Sequence, residues 1–249
     1  MSDTPRAWDA HCHADLFDEP TSVARECDSA RVAVLAVTTT PRAFVPNQRL
    51  FAKYPNIRVA LGIHPELAAS KEADLALFSS LLSETKFIGE VGLDGRPQHW
   101  RTLPVQRELL RAILRLCHNQ NKVFSLHSPR AVKELLDEIE NCIPDPDTVK
   151  ILHWFTGTKS EAQRAIELGC YFSVNHAMLS KATNHAIIQS LPIERVLTET
   201  DGPFVKVDGR PSRPPDVLIA AEMLARLWGT PADVAERQLL ANASFLFQN

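Results

Sequence analysis

The sequence predicts one α/β domain over residues 1–249, folded as a closed (β/α)8 barrel, also called a TIM barrel. Short runs of apolar and β-branched residues alternate with longer segments of helical periodicity, and this pairing recurs eight times. The alternation implies parallel strands joined by right-handed crossovers, and the chain length of 249 residues suits such a barrel. An open, doubly wound sheet is the alternative. However, the Gly-x-Gly fingerprint of its dinucleotide-binding form does not follow the first strand.

Each predicted strand is a short run of mainly apolar or β-branched residues, and four of these runs end at a histidine or glutamate side chain. The eight strands are predicted at Ala7–His11, Arg31–Val37, Arg58–Gly62, Phe87–Val91, Val123–His127, Val149–His153, Tyr171–Val174 and Val196–Glu199.

The segments between the strands carry apolar residues at steps of three and four, which is the period of an amphipathic helix. The last segment has a start signal, with Thr230 as the N-cap and Pro231 at the first helical position. The helices are predicted at Thr21–Asp28, Pro46–Tyr54, Leu75–Ser83, Leu103–Asn119, Ala131–Ile139, Lys159–Leu168, Lys181–Ser190, Asp216–Trp228 and Ala232–Phe247.

The composition is that of an ordinary globular enzyme and excludes some classes of protein. The formal net charge of −3 argues against a protein that coats nucleic acid through bulk positive charge. The five cysteines show no Cys-x-x-Cys spacing, so we expect buried thiols in a reducing compartment. The first six residues are polar, and no apolar run is long enough to span a bilayer. We therefore expect a cytoplasmic protein with no membrane partner.

Histidine and carboxylate side chains are concentrated at the carboxyl ends of the predicted strands. His11 and His13 lie two residues apart on a strand, so both point to the same face, as a pair of metal ligands must. Any one of these residues could be an ordinary hydrogen-bonded side chain, but in a (β/α)8 barrel all strand ends meet at one face. We therefore predict a metal site there. The residues concerned are His11, His13, His64, Glu90, His127, His153 and Asp201.

The predicted donor set indicates the kind of metal. Imidazole and carboxylate donors without thiolate suit Zn²⁺, Mn²⁺ or a similar cation. The set has more ligands than one tetrahedral ion needs, whereas two ions about 3.5–4 Å apart that share a carboxylate would use them all. Such a pair activates water at neutral pH and stabilises both oxygens of an in-line phosphoryl displacement.

The same residues form an ordered set of motifs that resembles the TatD family of metal-dependent deoxyribonucleases, within the metallo-dependent hydrolases. The resemblance covers essentially the whole chain. Three stretches, Leu93–Gly95, Ile151–Gly157 and Leu197–Phe204, look closest to QatD, the TatD-like component of the Qat anti-phage defence system. The motifs are Asp9–His13, Gly62–Pro65, Gly89–Asp94, His153–Gly157 and Glu199–Asp201.

The resemblance implies a role for each matching residue and two divalent metal ions, Zn, Mn or Mg, as cofactors. Glu90 would bridge the ions, and Asp201 would also orient or deprotonate the attacking water. His64 would lie near the scissile phosphate, and Glu199 would support Asp201 or hold a further ion. The implied partners are DNA and other Qat defence proteins. The implied ligands are His11, His13 and Asp201 for one ion and His127 and His153 for the other, with Glu90 between them.

Three departures from the family pattern affect the expected substrate contacts. Gly95 follows Asp94, where the family commonly has Tyr. Pro129 follows Ser128, where the family commonly has Arg, and Arg130 comes one place later. The segment Ser173–His176 lacks the usual Gly. We expect a phosphate-contacting arginine to be displaced or lost.

Other readings of the same residues stay open. The barrel and its ligands also suit an amidohydrolase or lactonase acting on a small cyclic substrate, or a metal-binding subunit that assembles with defence partners. Cations of the loop Pro203–Pro215 would follow a DNA backbone or form a solvated surface. Aromatic side chains would stack on a terminal base or pack at the barrel rim. The cations are Lys206, Arg210 and Arg213, and the aromatic residues are Trp100, Trp154 and Phe155.

Overall fold

The computed structural model describes residues 5–145 and 147–246 and alternates strands with helices in the predicted order. All eight predicted strands are present, and the length of each is within one residue of the prediction. The strands are β1 (Ala7–Cys12), β2 (Val32–Val37), β3 (Ile57–Ala60), β4 (Phe87–Gly92), β5 (Val123–His127), β6 (Val149–Leu152), β7 (Tyr171–Val174) and β8 (Val196–Thr198), followed by the two-residue strands β9 (Lys206–Val207) and β10 (Arg210–Pro211).

Nine of the helices correspond to predicted segments, with shifted ends, and the four-residue helix His176–Leu179 was not predicted. The second helix begins five residues before its predicted start at Pro46, which lies inside it. The helices are α1 (Pro20–Ala30), α2 (Pro41–Phe51), α3 (Leu75–Leu81), α4 (Leu103–Cys117), α5 (Val132–Cys142), α6 (Lys159–Glu167), α7 (His176–Leu179), α8 (Ala182–Ile188), α9 (Val217–Trp228) and α10 (Ala232–Asn242).

The start of α10 differs from the prediction by one residue. Pro231, not Thr230, occupies the N-cap, because its ψ of 146° is extended and its carbonyl accepts from the amides of Val234 and Ala235. A short 3-10 turn, Ala243–Leu246, follows α10. The predicted helix end at Phe247 lies outside the described residues.

The chain divides into two compact units, and the first comprises the described residues of 1–36, 49–58 and 172–249. In this unit β1 pairs in parallel with β2, and β7 with β8. The β1–β2 register is irregular between Asp9 and Cys12, next to the first predicted ligands. Leu35, Phe172 and Leu224 are fully buried in its core.

The second unit comprises residues 37–48 and 59–171. Here β4, β5 and β6 pair in parallel in chain order. The β4–β5 register shifts between Ile88 and Val91, so Glu90 lies within an irregular stretch of strand. Phe44, Phe78 and Phe124 are fully buried. Among the described residues of the chain, no helix combines the length and the apolar composition needed to cross a bilayer.

Candidate metal site

Three predicted ligands of the first unit, His11, His13 and Asp201, lie together and form what we call the first cluster. The Nε2 atoms of His11 and His13 are each 3.7 Å from Asp201 Oδ1, and the two rings meet edge to face with their centroids 5.2 Å apart. All three residues are buried. The expectation that His11 and His13 point the same way is confirmed.

Asp9 holds the two segments of the first cluster in place, although the sequence suggested no role for it beyond its motif. Its Oδ1 accepts from the amide of His11 at 3.2 Å and from the amide of Thr200 at 2.9 Å, and its Oδ2 accepts from the Thr200 hydroxyl. Burial raises the pKa of Asp9, and the Thr200 hydrogen bonds act in the opposite direction. Asp9 thus joins β1 directly to the loop that carries Asp201.

Glu199 and Asp201 both lie beyond the end of strand β8, so the alternation of a strand does not set the directions of their side chains. Strand β8 ends at Thr198, and Asp201 has a left-handed φ of 49°. Glu199 is buried, and its carboxylate accepts from Ser173 Oγ at 2.5 Å and from Asn175 Nδ2 at 3.0 Å. The segment in which the usual glycine is missing therefore supplies two donors that hold Glu199.

Four predicted residues of the second unit, His64, Glu90, His127 and His153, form what we call the second cluster. Three imidazole nitrogens surround one carboxylate oxygen, Glu90 Oε1. His127 Nδ1 lies at 2.5 Å, His153 Nε2 at 3.1 Å and His64 Nε2 at 3.5 Å. The rings of His127 and His153 stack with their centroids 5.5 Å apart. Every predicted site residue of this unit therefore lies in one cluster.

Asp94 orients His127 and is a site residue that the sequence did not single out. Asp94 Oδ2 lies 3.2 Å from His127 Nε2, while His127 Nδ1 faces Glu90. An N–H at Nε2 donating to Asp94 leaves the lone pair of Nδ1 directed toward Glu90 and available to a metal. Hydrogen bonds from His127 and Arg96 hold the pKa of Asp94 well below its usual value, although its burial acts to raise it. Its place at the end of a strand was the available signal.

His64 has a defined tautomer. Its Nδ1 accepts the backbone N–H of Glu66 at 3.2 Å, so the proton of the neutral ring is on Nε2. Burial acts to lower the pKa of His64, but the nearby Glu90 carboxylate outweighs burial and raises it. His64 can therefore donate from Nε2 on the side that faces Glu90.

Two departures from the family pattern occur at a single contact. The amide of Gly95 donates to the carbonyl of Pro129 at 2.9 Å, and a Cβ atom at position 95 would lie 2.4 Å from the Arg130 carbonyl oxygen. A larger residue at position 95 therefore does not fit the backbone that Pro129 and Arg130 adopt. Arg130 is exposed, with a left-handed φ of 54°.

Arg96, next to Gly95, is a cation beside the contact that Gly95 makes with Pro129 and Arg130. It binds both oxygens of Asp94, with Nε at 3.0 and 2.9 Å, and reaches Glu66 Oε1 at 2.8 Å through Nη2. Glu66 also lies 3.1 Å from His99 Nε2.

The residues expected to contact DNA differ in how available they are. Phe155 is buried in the second unit, which excludes it as a stacking surface, whereas Trp100 is exposed. Arg210 is paired with Asp216 at 2.7 Å, and Arg213 with Glu26. Trp154 is half-buried with a left-handed φ of 43°, and Lys206 is exposed. The loop that carries Lys206 forms the β9–β10 hairpin, which the sequence did not indicate.

The donor chemistry of both clusters fits a divalent cation. In the second cluster, donor atoms of His64, Glu90 and His127 lie within 4.8 Å of one another. Nitrogen and carboxylate-oxygen donors at such spacing, in buried positions, are those that bind Zn²⁺ or Mn²⁺ in proteins. The His, Glu and Asp residues of the chain could therefore hold metal.

Comparison with known proteins agrees with this assignment. The family model "TatD related DNase" matches residues 8–248. The chain is 27% identical to the metal-dependent hydrolase YjjV of Escherichia coli over 260 aligned positions, which cover 97% of this chain and 98% of the relative. It is 25% identical to the deoxyribonuclease TATDN3 of Homo sapiens, over 96% of this chain and 93% of the relative.

A solved structure gives the same result for the fold. The crystal structure of YjjV superposes with a TM-score of 0.84 at 27% identity, covering 97% of each chain. The predicted fold class, a (β/α)8 TIM barrel of the metallo-dependent hydrolase type, is thereby confirmed. The chain is a metal-dependent hydrolase and belongs to the TatD related DNase family.

Proposed function

We propose that this protein is a deoxyribonuclease, exonuclease-like in action, that hydrolyses phosphodiester bonds through a two-metal centre. The observation that carries the proposal is the convergence of three imidazole nitrogens on Glu90 Oε1, at 2.5 to 3.5 Å. The human relative is named a deoxyribonuclease, which supports DNA as the substrate. We further propose that the chain forms one hydrolase domain, because a single family model spans residues 8–248.

The proposed ligands are the residues of the two clusters other than His64. In this proposal two divalent ions, Zn, Mn or Mg, provide a Lewis acid that lowers the pKa of water and offsets charge on the phosphate. Glu90 would be the carboxylate shared by the ions, and the imidazoles of the second cluster converge on it. The six ligands are His11, His13, Glu90, His127, His153 and Asp201.

Three side chains act on the reacting groups in this proposal. Asp201 orients the attacking water and accepts its proton, and its carboxylate lies 3.7 Å from the Nε2 atoms of His11 and His13. His64 donates its Nε2–H to an oxygen of the scissile phosphate. Water oxygen then bonds to phosphorus as the bond to the leaving oxygen breaks, and solvent protonates the leaving group.

The test compares substrates and a ligand variant. Wild type supplied with Mn²⁺ or Mg²⁺ should hydrolyse single-stranded or duplex DNA, and Glu90→Gln should lose at least about 100-fold in kcat, because removing a charge-stabilising group costs that much or more. Glu222→Gln makes the same chemical change on an exposed side chain and should retain wild-type activity. Hydrolysis of a lactone panel with no hydrolysis of DNA would establish the amidohydrolase or lactonase alternative instead.

We also propose that the protein acts in the cytoplasm, in anti-phage defence together with other Qat proteins. The resemblance of Leu93–Gly95 and Leu197–Phe204 to QatD supports the defence role, and five buried thiols suit a reducing compartment. Cells that carry the gene with its neighbouring genes should plate phage less efficiently than cells carrying Glu90→Gln. Equal plating efficiency of phage on both kinds of cell would refute the defence role but would not contradict the proposed nuclease activity. Co-purification of the neighbouring gene products with the tagged chain tests the partners.

A further inference from the structure

Phe204 is a large aromatic side chain that the first unit exposes beside its cluster of ligands. Its relative exposure is 62%, and its ring and the His13 imidazole meet in an edge-to-face arrangement with the centroids 5.0 Å apart. Single exposed apolar side chains are common on protein surfaces, so it is the contact with a proposed metal ligand, and not the exposure alone, that distinguishes this ring.

The backbone that presents Phe204 is firmly held. The Phe204 amide donates to the Asp201 carbonyl at 3.0 Å, and the Gly202 carbonyl accepts from the His13 amide at 2.8 Å. Gly202 fits closely, since a Cβ there would lie 2.2 Å from the Ser212 carbonyl oxygen and 3.0 Å from the Phe17 ring. The ring therefore needs no ordering of its backbone when a ligand binds, which lowers the entropic cost of binding.

The surroundings indicate what the ring would bind. The ring contacts His13, so its exposed remainder lies beside a proposed metal ligand, where the substrate must come. Lys206, two residues further on, is exposed, and its backbone carbonyl lies 2.9 Å from His176 Nε2. A flat apolar ring with a cation nearby suits an unstacked nucleobase joined to phosphate.

We infer that Phe204 is the stacking platform for the nucleobase next to the scissile phosphate, and so determines the preference for unpaired DNA. This inference rests on the proposed nuclease function. A base inside a duplex is already stacked on its neighbours, so only a single strand or a frayed end presents a free face. Phe204 acts here as a specificity residue, while the ligand clusters carry out the reaction.

The experiment separates the base from the backbone. Phe204→Leu keeps the apolar bulk but removes the ring, and Phe204→Tyr keeps the ring. With Mn²⁺-loaded enzyme and a single-stranded oligonucleotide, Phe204→Leu should raise KM by about 5- to 100-fold, the range of one lost base stack. Its kcat should change little, and Phe204→Tyr should match wild type. On the same strand with abasic units flanking the scissile bond, all three proteins should have the same KM.

A matched control and a binding measurement complete the test. Trp100→Leu removes another exposed aromatic ring and should leave KM unchanged. Fluorescence anisotropy measures the affinity of the metal-free proteins for the intact and the abasic oligonucleotide without turnover, and these affinities should differ among the variants as the KM values do. The inference is overturned if Phe204→Leu binds intact DNA as tightly as wild type does. It is also overturned if the substitution lowers the affinity for abasic DNA as much as the affinity for intact DNA, or if it lowers the metal content of the protein. The last two outcomes would make the ring a support for His13. Failure of wild type to cleave DNA would refute the proposed function itself.

Discussion

At the scale of single residues, the second cluster is held by side chains that are not themselves among the proposed metal ligands. His127 lies between Glu90 and Asp94, and Asp94 in turn is bound by Arg96. A metal-binding histidine whose second nitrogen donates to a carboxylate is fixed in tautomer and orientation. Asp94 is therefore a positioning residue for the metal site.

Asp94→Asn should weaken metal binding by about 10- to 100-fold, because the amide holds the His127 ring less firmly in the required tautomer. Titration of the metal-free protein with Mn²⁺ by calorimetry measures this change. Asp137→Asn replaces a carboxylate that binds Arg164 at 2.7 Å on the surface, and it should leave the metal affinity at the wild-type value. An unchanged affinity in Asp94→Asn would show that the contact with His127 has no role in metal binding.

At the scale of elements, α4 and α5 are joined by a buried carboxylate. Glu138 on α5 is fully buried and receives four hydrogen bonds of 2.7 to 2.9 Å from Arg107 and Arg111 on α4. Burial acts to raise the pKa of Glu138, but the bonds from Arg111 and Arg107 outweigh it and lower the pKa.

Glu138→Gln should lower the free energy of unfolding by about 1–3 kcal/mol at neutral pH, since hydrogen bonds to a charged group are lost. Because the pKa is lowered in the folded state, this stabilisation is complete above the unfolded value of about 4.3 and is lost as pH falls through the folded value. Urea unfolding at pH 7 and at pH 3–4 measures it. A stability difference that grows toward low pH would contradict the assignment.

Helix α6 begins with a capping box, in which the side chains of Thr158 and Glu161 each bond to the backbone amide of the other residue. The Thr158 hydroxyl accepts from the Glu161 amide at 3.3 Å, and Glu161 Oε2 accepts from the Thr158 amide at 2.7 Å. Thr158→Ala should cost about 1 kcal/mol of unfolding free energy, while Thr158→Ser should cost less because it retains the hydroxyl. Urea unfolding of wild type and the two variants measures these free energies, and an equal loss of stability in both variants would show that the hydroxyl does not cap the helix.

At the scale of the whole molecule, metal binding and folding are linked. A ligand that binds only the folded state stabilises it by about 2.7 kcal/mol at a concentration of 100 times its Kd. For a chain of 249 residues this corresponds to a rise in Tm of about 5–10 °C. Mn²⁺ should therefore raise Tm by about that amount relative to EDTA, and Glu90→Gln should remove most of the rise. Thermal scans of wild type, Glu90→Gln and Glu222→Gln test this, and an equal rise in all three would show that the metal binds elsewhere.

Several predictions could be made from the sequence alone because the signals behind them are local. Alternation and helical periodicity lie within ten or fifteen residues, so all eight strands and most helices were predictable with errors of a few residues. Helix boundaries and the β9–β10 hairpin were less predictable, because Thr230 and Pro231 compete for one cap and a two-residue strand has no period. The clustering of ligands within each unit followed from their positions at strand ends.

By itself, the sequence determined the order of elements, the fold class and the chemical types of the candidate ligands, since these depend on short-range pattern and motif. Tertiary structure alone decided which side chains hold those ligands. Asp94 and His127 are 33 residues apart, and Asp9 and Thr200 are 191 apart. It also decided that Phe155 is buried and Phe204 exposed. Contacts across such separations, and the exposure of one aromatic ring rather than another, depend on how distant segments pack, and no local pattern in the chain records that packing.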